Sequence, residues 1–595
     1  MFIKLAEVGK AVSINNTDSL SLFYQHIGPT YTKGIRIIFS DDGTIFKGCQ
    51  IEKFEGDKAA EIPYKKGPSN GFDPLPVTKM SAPLPNKPTF KVFKRMSKYI
   101  NELAKHAKDP RLQALKRIWI AEETAIQNEM DMEYMATNTD KDHRVFFFIS
   151  LGGKELWEFD EVKAFFKEKI KERFQTKDKI KTVAQDQFCA ICGERKAEVY
   201  GNVTLVQSYN LDQPGFISGG ANASMGVKNL PICFECAGYL SKGFDYVKNH
   251  LSFNMGGLDY LLIPSVTGSY DPKFLLKTIN TIQKRETEQT LKEAKLQRFV
   301  GQEDLILRKI SREYGTTDQL ELTMVFYKKS NSMWRIRAEI PRILPSHLKK
   351  IYEKKEEAEQ LPFLKKGKKP DHISMGIIKD FSTYKDNFLT YVEAIFGNKR
   401  LEYKKVLKDV VNKIVNSYKS SKDAQDLGMS DYLLRHGVLL LDFLDKLGII
   451  TFSKGENMDE MNMPGQKYVD FMNEYQRFFN TPGKRVAFLT GLLIAKVLYF
   501  QEGSNAFRRY LGDYRFDLRK LKSLRPHIEA KIAAYDRDKN SINYTRDLRA
   551  LLDLLWARVD TDHPDTDDNL TLAVIMGMNL DYYLSQKYQK EENNE

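Results

Sequence analysis

Four cysteines stand in two matched pairs, Cys189-Ala-Ile-Cys192 and Cys233-Phe-Glu-Cys236, with forty residues between them. A thiolate is a soft anionic ligand, and a C-x-x-C pair on a tight turn presents two of them to one ion. Two such pairs supply all four sulfurs of a closed tetrahedral zinc site. A closed site leaves no position for an activated water, so the expected ion is structural, one Zn2+ per chain. Its binding free energy then counts as folding free energy for the segment it ties. The competing readings are a redox C-x-x-C or buried free thiols, against which two matched pairs among five cysteines weigh heavily. Cys49, the fifth, reads as a small buried hydrophobe.

Between the pairs, residues 211–229 are rich in Gly, Ser and Asn, with Pro214 before Gly215. Small side chains let backbone N–H groups approach a phosphate or a base edge closely. Asn222, Ser224, Lys228 and Asn229 are the candidate nucleic-acid contacts of this insert. A plain surface loop has the same composition, so the insert contacts either DNA, another subunit or solvent.

The sequence Cys-x-x-Cys-Gly, an insert containing Asp-x-Pro-Gly-Phe, then Asn-x-Pro-x-Cys-x-x-Cys-Ala, in a chain of 595 residues, resembles the Cas-eight-b family. These are large subunits of type I-B CRISPR Cascade complexes, of the Csh and TM types. The specific match covers residues 186–245, and elsewhere the likeness is one of size, charge and layout. It implies a non-catalytic large subunit of an RNA-guided surveillance complex that recognises the protospacer-adjacent motif and helps open target DNA. It further implies crRNA and target DNA as nucleic-acid partners, with the N-terminal part and its zinc module near the crRNA 5′ handle. The implied protein partners are the backbone, 5′-handle-binding and small subunits, together with a helicase-nuclease recruited for cleavage.

Composition agrees with a polyanionic partner. Lys and Arg number 92 against 79 Asp and Glu, a net charge of +13. No basic leader followed by an apolar core opens the sequence, and the longest apolar run, Val486 to Phe500, is broken by Thr490, Gly491 and Lys496. The expectation is a cytoplasmic protein with no membrane span, and the sparse, metal-spaced cysteines fit a reducing compartment.

The elements that must position the cysteines read as an α+β chain. An N-terminal α/β region carries the four-Cys zinc module as an insertion, and a C-terminal all-α helical bundle follows. The expected divisions are residues 1–185, the zinc module 186–245, a middle α/β region 246–387 and the bundle 388–595. Runs at Gly34–Ser40 and Thr44–Lys53 flank Asp41-Asp42-Gly43, a hairpin signal whose acids serve the turn. Residues 63–88 hold seven prolines and read as an extended, solvated excursion. Helices are expected at 90–106, 111–132, 158–176 and 272–299, and strands at 144–151 and 258–266. A hairpin joins 320–327 to 333–340, its second strand alternating Trp334, Ile336, Ala338 and Ile340 against Arg335, Arg337 and Glu339. Arg335 and Arg337 are candidates to track a nucleic-acid backbone. So is the cluster Lys365, Lys366, Lys368 and Lys369, which lacks the glutamates that balance the lysines before it.

From residue 388 onward amphipathic helical runs replace strand alternation, and their regular apolar spacing belongs to a bundle core. Thr481-Pro482 reads as an N-cap with proline at the first helical position. Arg508, Arg509, Arg515, Arg519, Lys520, Lys522 and Arg525 fall within eighteen residues holding two acids. They read either as a basic stripe guiding a displaced single strand, with Tyr510 and Tyr514 for stacking, or as a solvated face. Met458 sits in a polar stretch behind Lys454-Gly455-Glu456-Asn457, whose codons permit a ribosome-binding sequence. Either residues 458–595 are also made as a separately translated small-subunit-like unit, or Met458, Met461 and Met463 are ordinary residues of a linker.

Motifs of catalysis are missing. There is no H-x-E before Pro-x-Cys-x-x-Cys, no G-x-x-x-x-G-K-[ST] and no H-E-x-x-H. A non-enzymatic protein is expected. The alternatives are a zinc-containing nuclease or polymerase-like enzyme with dispersed carboxylates, or an RNA-processing factor.

Overall fold

The computed structural model describes residues 1–592 except 17, 26, 28–29, 55–61, 81–82, 138–143, 178, 207, 210, 212–221, 284–301, 315–317, 331–332, 365–372, 374, 383–384, 421–426, 453–462, 502–505 and 563–564. Two compact units emerge. The first comprises Met1–Ser252, Leu261–Lys284 and Val325–Arg337, and the second Phe253–Tyr260, Arg285–Met324 and Ala338–Glu595. Mixed α/β structure gives way to helices after residue 343, as the sequence pattern requires.

In order, the N-terminal elements are α1 (Phe2–Val12), β1 (Lys33–Phe39), β2 (Phe46–Lys53), β3 (Val77–Lys79), α2 (Phe90–His106), α3 (Pro110–Ala121), α4 (Glu123–Thr137), β4 (Val145–Leu151), β5 (Lys154–Glu155) and α5 (Asp160–Gln175). Their sheet runs β2-β1-β4-β3, with β5 also on β4. Strand β4, Val-Phe-Phe-Phe-Ile-Ser-Leu, is buried along its whole length and pairs parallel with β1. A continuous apolar run of this kind belongs to a strand covered on both faces. Val145, Phe147, Ile149 and Leu151 enter one core with α2 to α5, while Phe146 and Phe148 enter a second with Ile27, Tyr64 and Val77. The β1–β2 hairpin closes as expected. Asp42 accepts from the Ser40 and Thr44 hydroxyls at 2.6 and 2.8 Å, which together hold its carboxyl down to about 2.

Two expectations fail here. Residues 63–88 are not a solvated excursion, because Tyr64, Leu75, Val77 and Met80 are buried. Seven prolines are compatible with this since the segment's pairing is short, an isolated bridge of Tyr64 with Gln25 and the three residues of β3 at the sheet edge. The helix expected over 111–132 breaks at Glu122 into α3 and α4, the first capped by Asp109, whose carboxylate accepts from the Arg111 N–H at 2.9 Å.

The chain continues through the short pair β6 (Thr176–Lys177) and β7 (Ile180–Lys181), the hairpin β8 (Val183–Phe188) and β9 (Arg195–Tyr200), α6 (Gly226–Asn229) and α7 (Phe234–His250). Next come β10 (Ser252–Met255), β11 (Leu258–Val266), α8 (Pro272–Gln283), α9 (Gln302–Tyr314), β12 (Leu320–Ser330) and β13 (Met333–Ile343), with a four-stranded sheet ordered β10-β11-β12-β13. Trp334 is buried and stacks on Tyr327 at 4.0 Å, as the alternation of β13 requires. Ile336, expected on the same apolar face, is 40% exposed. Of the helix expected over 272–299, the described residues show α8, and the remainder lies outside them.

The bundle elements are α10 (Pro345–Glu359), α11 (Met375–Phe381), α12 (Lys385–Gly397), α13 (Tyr403–Ser420), α14 (Leu427–Leu447), α15 (Gln466–Glu474), α16 (Pro482–Phe500), α17 (Leu518–Lys539), α18 (Ser541–Tyr544), α19 (Arg546–Trp556) and α20 (Asp567–Glu592). Helix α16 is the central rod, with even Lys484, Arg485 and Lys496 buried. Its N-cap is Thr481, whose hydroxyl accepts from the Lys484 N–H at 3.3 Å, with Pro482 at the first position. No helix among the described residues is long and apolar enough to cross a membrane.

Candidate metal centre and nucleic-acid surfaces

The first knuckle is the tip of the β8–β9 hairpin. Gly193, at φ +71°, takes the left-handed turn that a side chain would resist, and its N–H donates to the Cys189 carbonyl at 2.9 Å. The Ile191 N–H of this turn and the Cys233 N–H of the second knuckle both donate to the Cys189 sulfur, each at 3.4 Å. The second knuckle is the start of α7. Cys233 is its N-cap and Cys236 lies in its first turn, where the positive end of the helix dipole favours thiolate. Residues 231–232 zip along the hairpin: Ala190 N–H donates to the Pro231 carbonyl at 2.7 Å, and Tyr200 and Ile232 exchange bonds of 2.8 and 3.0 Å.

These backbone bonds bring the four sulfurs together, all within 4.8 Å of one another. Cys189, Cys233 and Cys236 are buried and Cys192 is exposed. Cys189 accepts hydrogen bonds from the thiols of Cys233 and Cys236, which pushes its pKa down and pushes that of Cys236 up. Sulfurs so crowded share protons, and a divalent cation at their centre would replace those protons with a single doubly charged ion. The donor set and its geometry fit a metal ion held by Cys189, Cys192, Cys233 and Cys236. Cys49 is half-buried against the N-terminal core, its pKa pushed up by burial and by Glu129 and Glu133.

The expected nucleic-acid contacts are scattered. Asn222 caps a single 3-10 turn, its carboxamide oxygen accepting from the Ser224 N–H at 3.1 Å and hydroxyl at 2.7 Å. Asn229 donates to the Met225 carbonyl at 2.9 Å, and Lys228 is exposed. Arg335 and Arg337 are exposed on β13. Lys365, Lys366, Lys368, Lys369 and Met458 lie outside the described residues.

The seven cations of residues 508–525 divide in two. Arg515 is bound inward by Asp568 at 2.5 Å and by Asn412. Lys520 donates to the Leu511 and Arg515 carbonyls, both at 2.6 Å, and Arg525 pairs with Glu529 and Asp553. Arg509, Arg519 and Lys522 are exposed and Arg508 is partly so. Tyr510 stacks on His527 at 4.3 Å. Tyr514, expected to be available for stacking, is instead buried against Tyr418, turned inward by a backbone φ of +57°.

A basic cleft of about 970 Å3 on the first unit escaped the sequence reading. Its cations come from three separate segments: Lys66 and Lys79, then Lys91, Lys94, Arg95 and Lys98 of α2, then Lys242 and Lys248 of α7. Each segment alone reads as an ordinary charged surface. The legible signal was in α2, where four cations at i, i+3, i+4 and i+7 share one helix face with no acid before Glu102.

Two comparisons with known families bear on this arrangement. Residues 186–343, which contain all four cysteines, match the central domain of the CRISPR-associated protein TM1802, and residues 377–592 match the C-terminal domain of the same protein. A comparison with curated proteins finds no match. With both domains present in order over well more than half its length, the chain belongs to the TM1802 family of CRISPR-associated proteins.

Proposed function

We propose that this chain is the large, non-catalytic subunit of a type I-B RNA-guided CRISPR surveillance complex, with one structural Zn2+ on Cys189, Cys192, Cys233 and Cys236. The observation that carries the reading is the closed four-sulfur cluster inside the matched central domain. A site that uses every ligand position on protein sulfur stiffens a scaffold and performs no hydrolysis. A stiff scaffold is what recognition of a short protospacer-adjacent motif on duplex DNA needs. Guide pairing carries the long sequence, and protein contacts at the motif license strand opening. Its partners on this reading are crRNA, target DNA, the backbone, 5′-handle-binding and small subunits, and a helicase-nuclease that cuts.

Affinity purification of the tagged chain from cells expressing its CRISPR locus tests this. The expected result is co-purified RNA carrying repeat-derived handles, together with other Cas proteins. Recovered RNA without repeats would favour an RNA-processing factor, and metal-dependent cleavage by the purified chain would favour an enzyme.

A further inference from the structure

The cleft on the first unit joins two kinds of group that a single nucleic-acid strand requires. Eight Lys and Arg side chains line it against two carboxylates, Asp73 and Asp245, among the described residues. Asp73 is already taken by Arg95, which it meets at 2.7 Å. Tyrosine rings stand among the cations: Tyr24, Tyr31, Tyr64 and Tyr246 all line the recess. Interleaving of this kind supplies charge for phosphates and flat surfaces for bases.

The floor is built for an anion. The Lys79 ammonium lies 4.4 Å from the Tyr64 ring centre and 5.0 Å from that of Tyr31. Burial, and then the nearby Lys66 charge, push its pKa down to about 8 despite Asp73. A phosphate brought beside it would reverse that shift. Small-molecule pockets are mostly apolar with a few polar groups, whereas this one is lined with cations from α2 and from α7. A duplex would present stacked base pairs that the tyrosines cannot face.

We propose that this cleft binds a single-stranded segment of nucleic acid, with phosphates on Lys79, Lys94, Lys98 and Lys242 and a base against Tyr246. The proposal rests on the reading of the chain as a nucleic-acid-binding subunit and locates a surface for that role. It also gives the metal centre a mechanical part. Helix α7 begins at the second knuckle and ends in the cleft wall, and Tyr246 stands ten residues beyond Cys236, about 15 Å along the axis.

The test is fluorescence anisotropy of the purified full-length chain with labelled oligo-dT, oligo-U and a blunt duplex, over a range of salt. Lys94→Gln/Lys98→Gln should weaken single-strand binding about tenfold and lower the salt slope by about 0.7 per lysine removed. Lys94→Arg/Lys98→Arg should restore it, which separates charge from folding. Tyr246→Leu should weaken binding with the slope unchanged. Lys404→Gln/Lys405→Gln, exposed on α13 of the second unit, should bind as wild type. Losses on both strands name the shared backbone as the ligand, and a loss on RNA or DNA alone names that strand. Unchanged binding in the cleft variants, an equal loss in the Lys404/Lys405 pair, or preference for duplex overturns the proposal while leaving the functional reading intact. A wild-type chain that binds none of the probes overturns both.

Discussion

Gly9 and Gly243 meet backbone to backbone where α1 crosses α7. A methyl on Gly243 would lie 1.8 Å from the Leu5 carbonyl oxygen, and one on Gly9 would lie 1.9 Å from that of Tyr239. Both obstacles are backbone and cannot swing aside. Gly243→Ala should therefore force the helices apart and destabilise this packing by about 1–3 kcal/mol. Hydrogen exchange of α1 and α7 reads the effect. Gly397→Ala, whose methyl would meet Ile340 at an ordinary 3.7 Å, is the near-neutral control.

Metal content separates the four ligands. The freshly purified chain should carry one zinc, and Cys189→Ser should lose it and melt earlier, since that buried sulfur also accepts two backbone N–H groups. Cys192→Ser alters the exposed ligand and should weaken retention with a smaller fall in melting temperature. Elemental analysis and thermal melting, each with and without a chelator, check both.

What was legible in the sequence was local. The β1–β2 hairpin, α2, the β12–β13 hairpin and the capped start of α16 each carry their period and turn residues within twenty neighbours. The four-sulfur cluster was legible because metal ligation imposes fixed spacing on fixed residue types. Partners distant in the chain were hidden. Arg515 reads as a free cation until Asp568 and Asn412 fold against it, and Val77 reads as part of a proline-rich loop until β4 pairs with it. The cleft was hidden for the same reason, since only folding brings α2 beside α7.

Asp442 has a pH signature. Its carboxylate is fully buried near Arg477, Lys446 and Asp445, and burial outweighs the two cations to push its pKa up to about 6. Folding thus favours the protonated form. The stability it contributes is complete below about pH 4 and is lost as pH rises through about 6, amounting to about 2–3 kcal/mol. Asp442→Asn should flatten that decline. The difference between wild-type and variant melting temperatures from pH 4 to pH 7 checks the sign.

The seven cations of residues 508–525 should separate by phenotype. Arg515→Gln breaks the pair with Asp568 and the contact to Asn412, and should lower the melting temperature of the second unit. Arg519→Gln/Lys522→Gln changes exposed side chains and should leave it within about 0.5 kcal/mol of wild type. Thermal unfolding of the two variants side by side decides the matter.

A chain begun at Met458 would lose partners as well as residues. Asn579 donates to the Tyr418 hydroxyl at 2.7 Å, and the Tyr403 hydroxyl donates to Asn569 at 3.0 Å, so α20 leans on a helix that precedes the cut. Residues 458–595 expressed alone should exchange amide hydrogen faster along α20 than the full chain does. Restoring residues 403–457 should recover the protection.

The sulfur cluster also governs how freely this region can vary. It pins both ends of the forty-residue insert to one point. Closing a loop costs entropy that grows only with the logarithm of its length, so doubling the insert would cost about 0.6 kcal/mol. Between β9 and Pro231 the chain can therefore change length at little entropic cost while the hairpin and α7 stay in register. The module is a socket in which new surface can be tried without refolding what holds it.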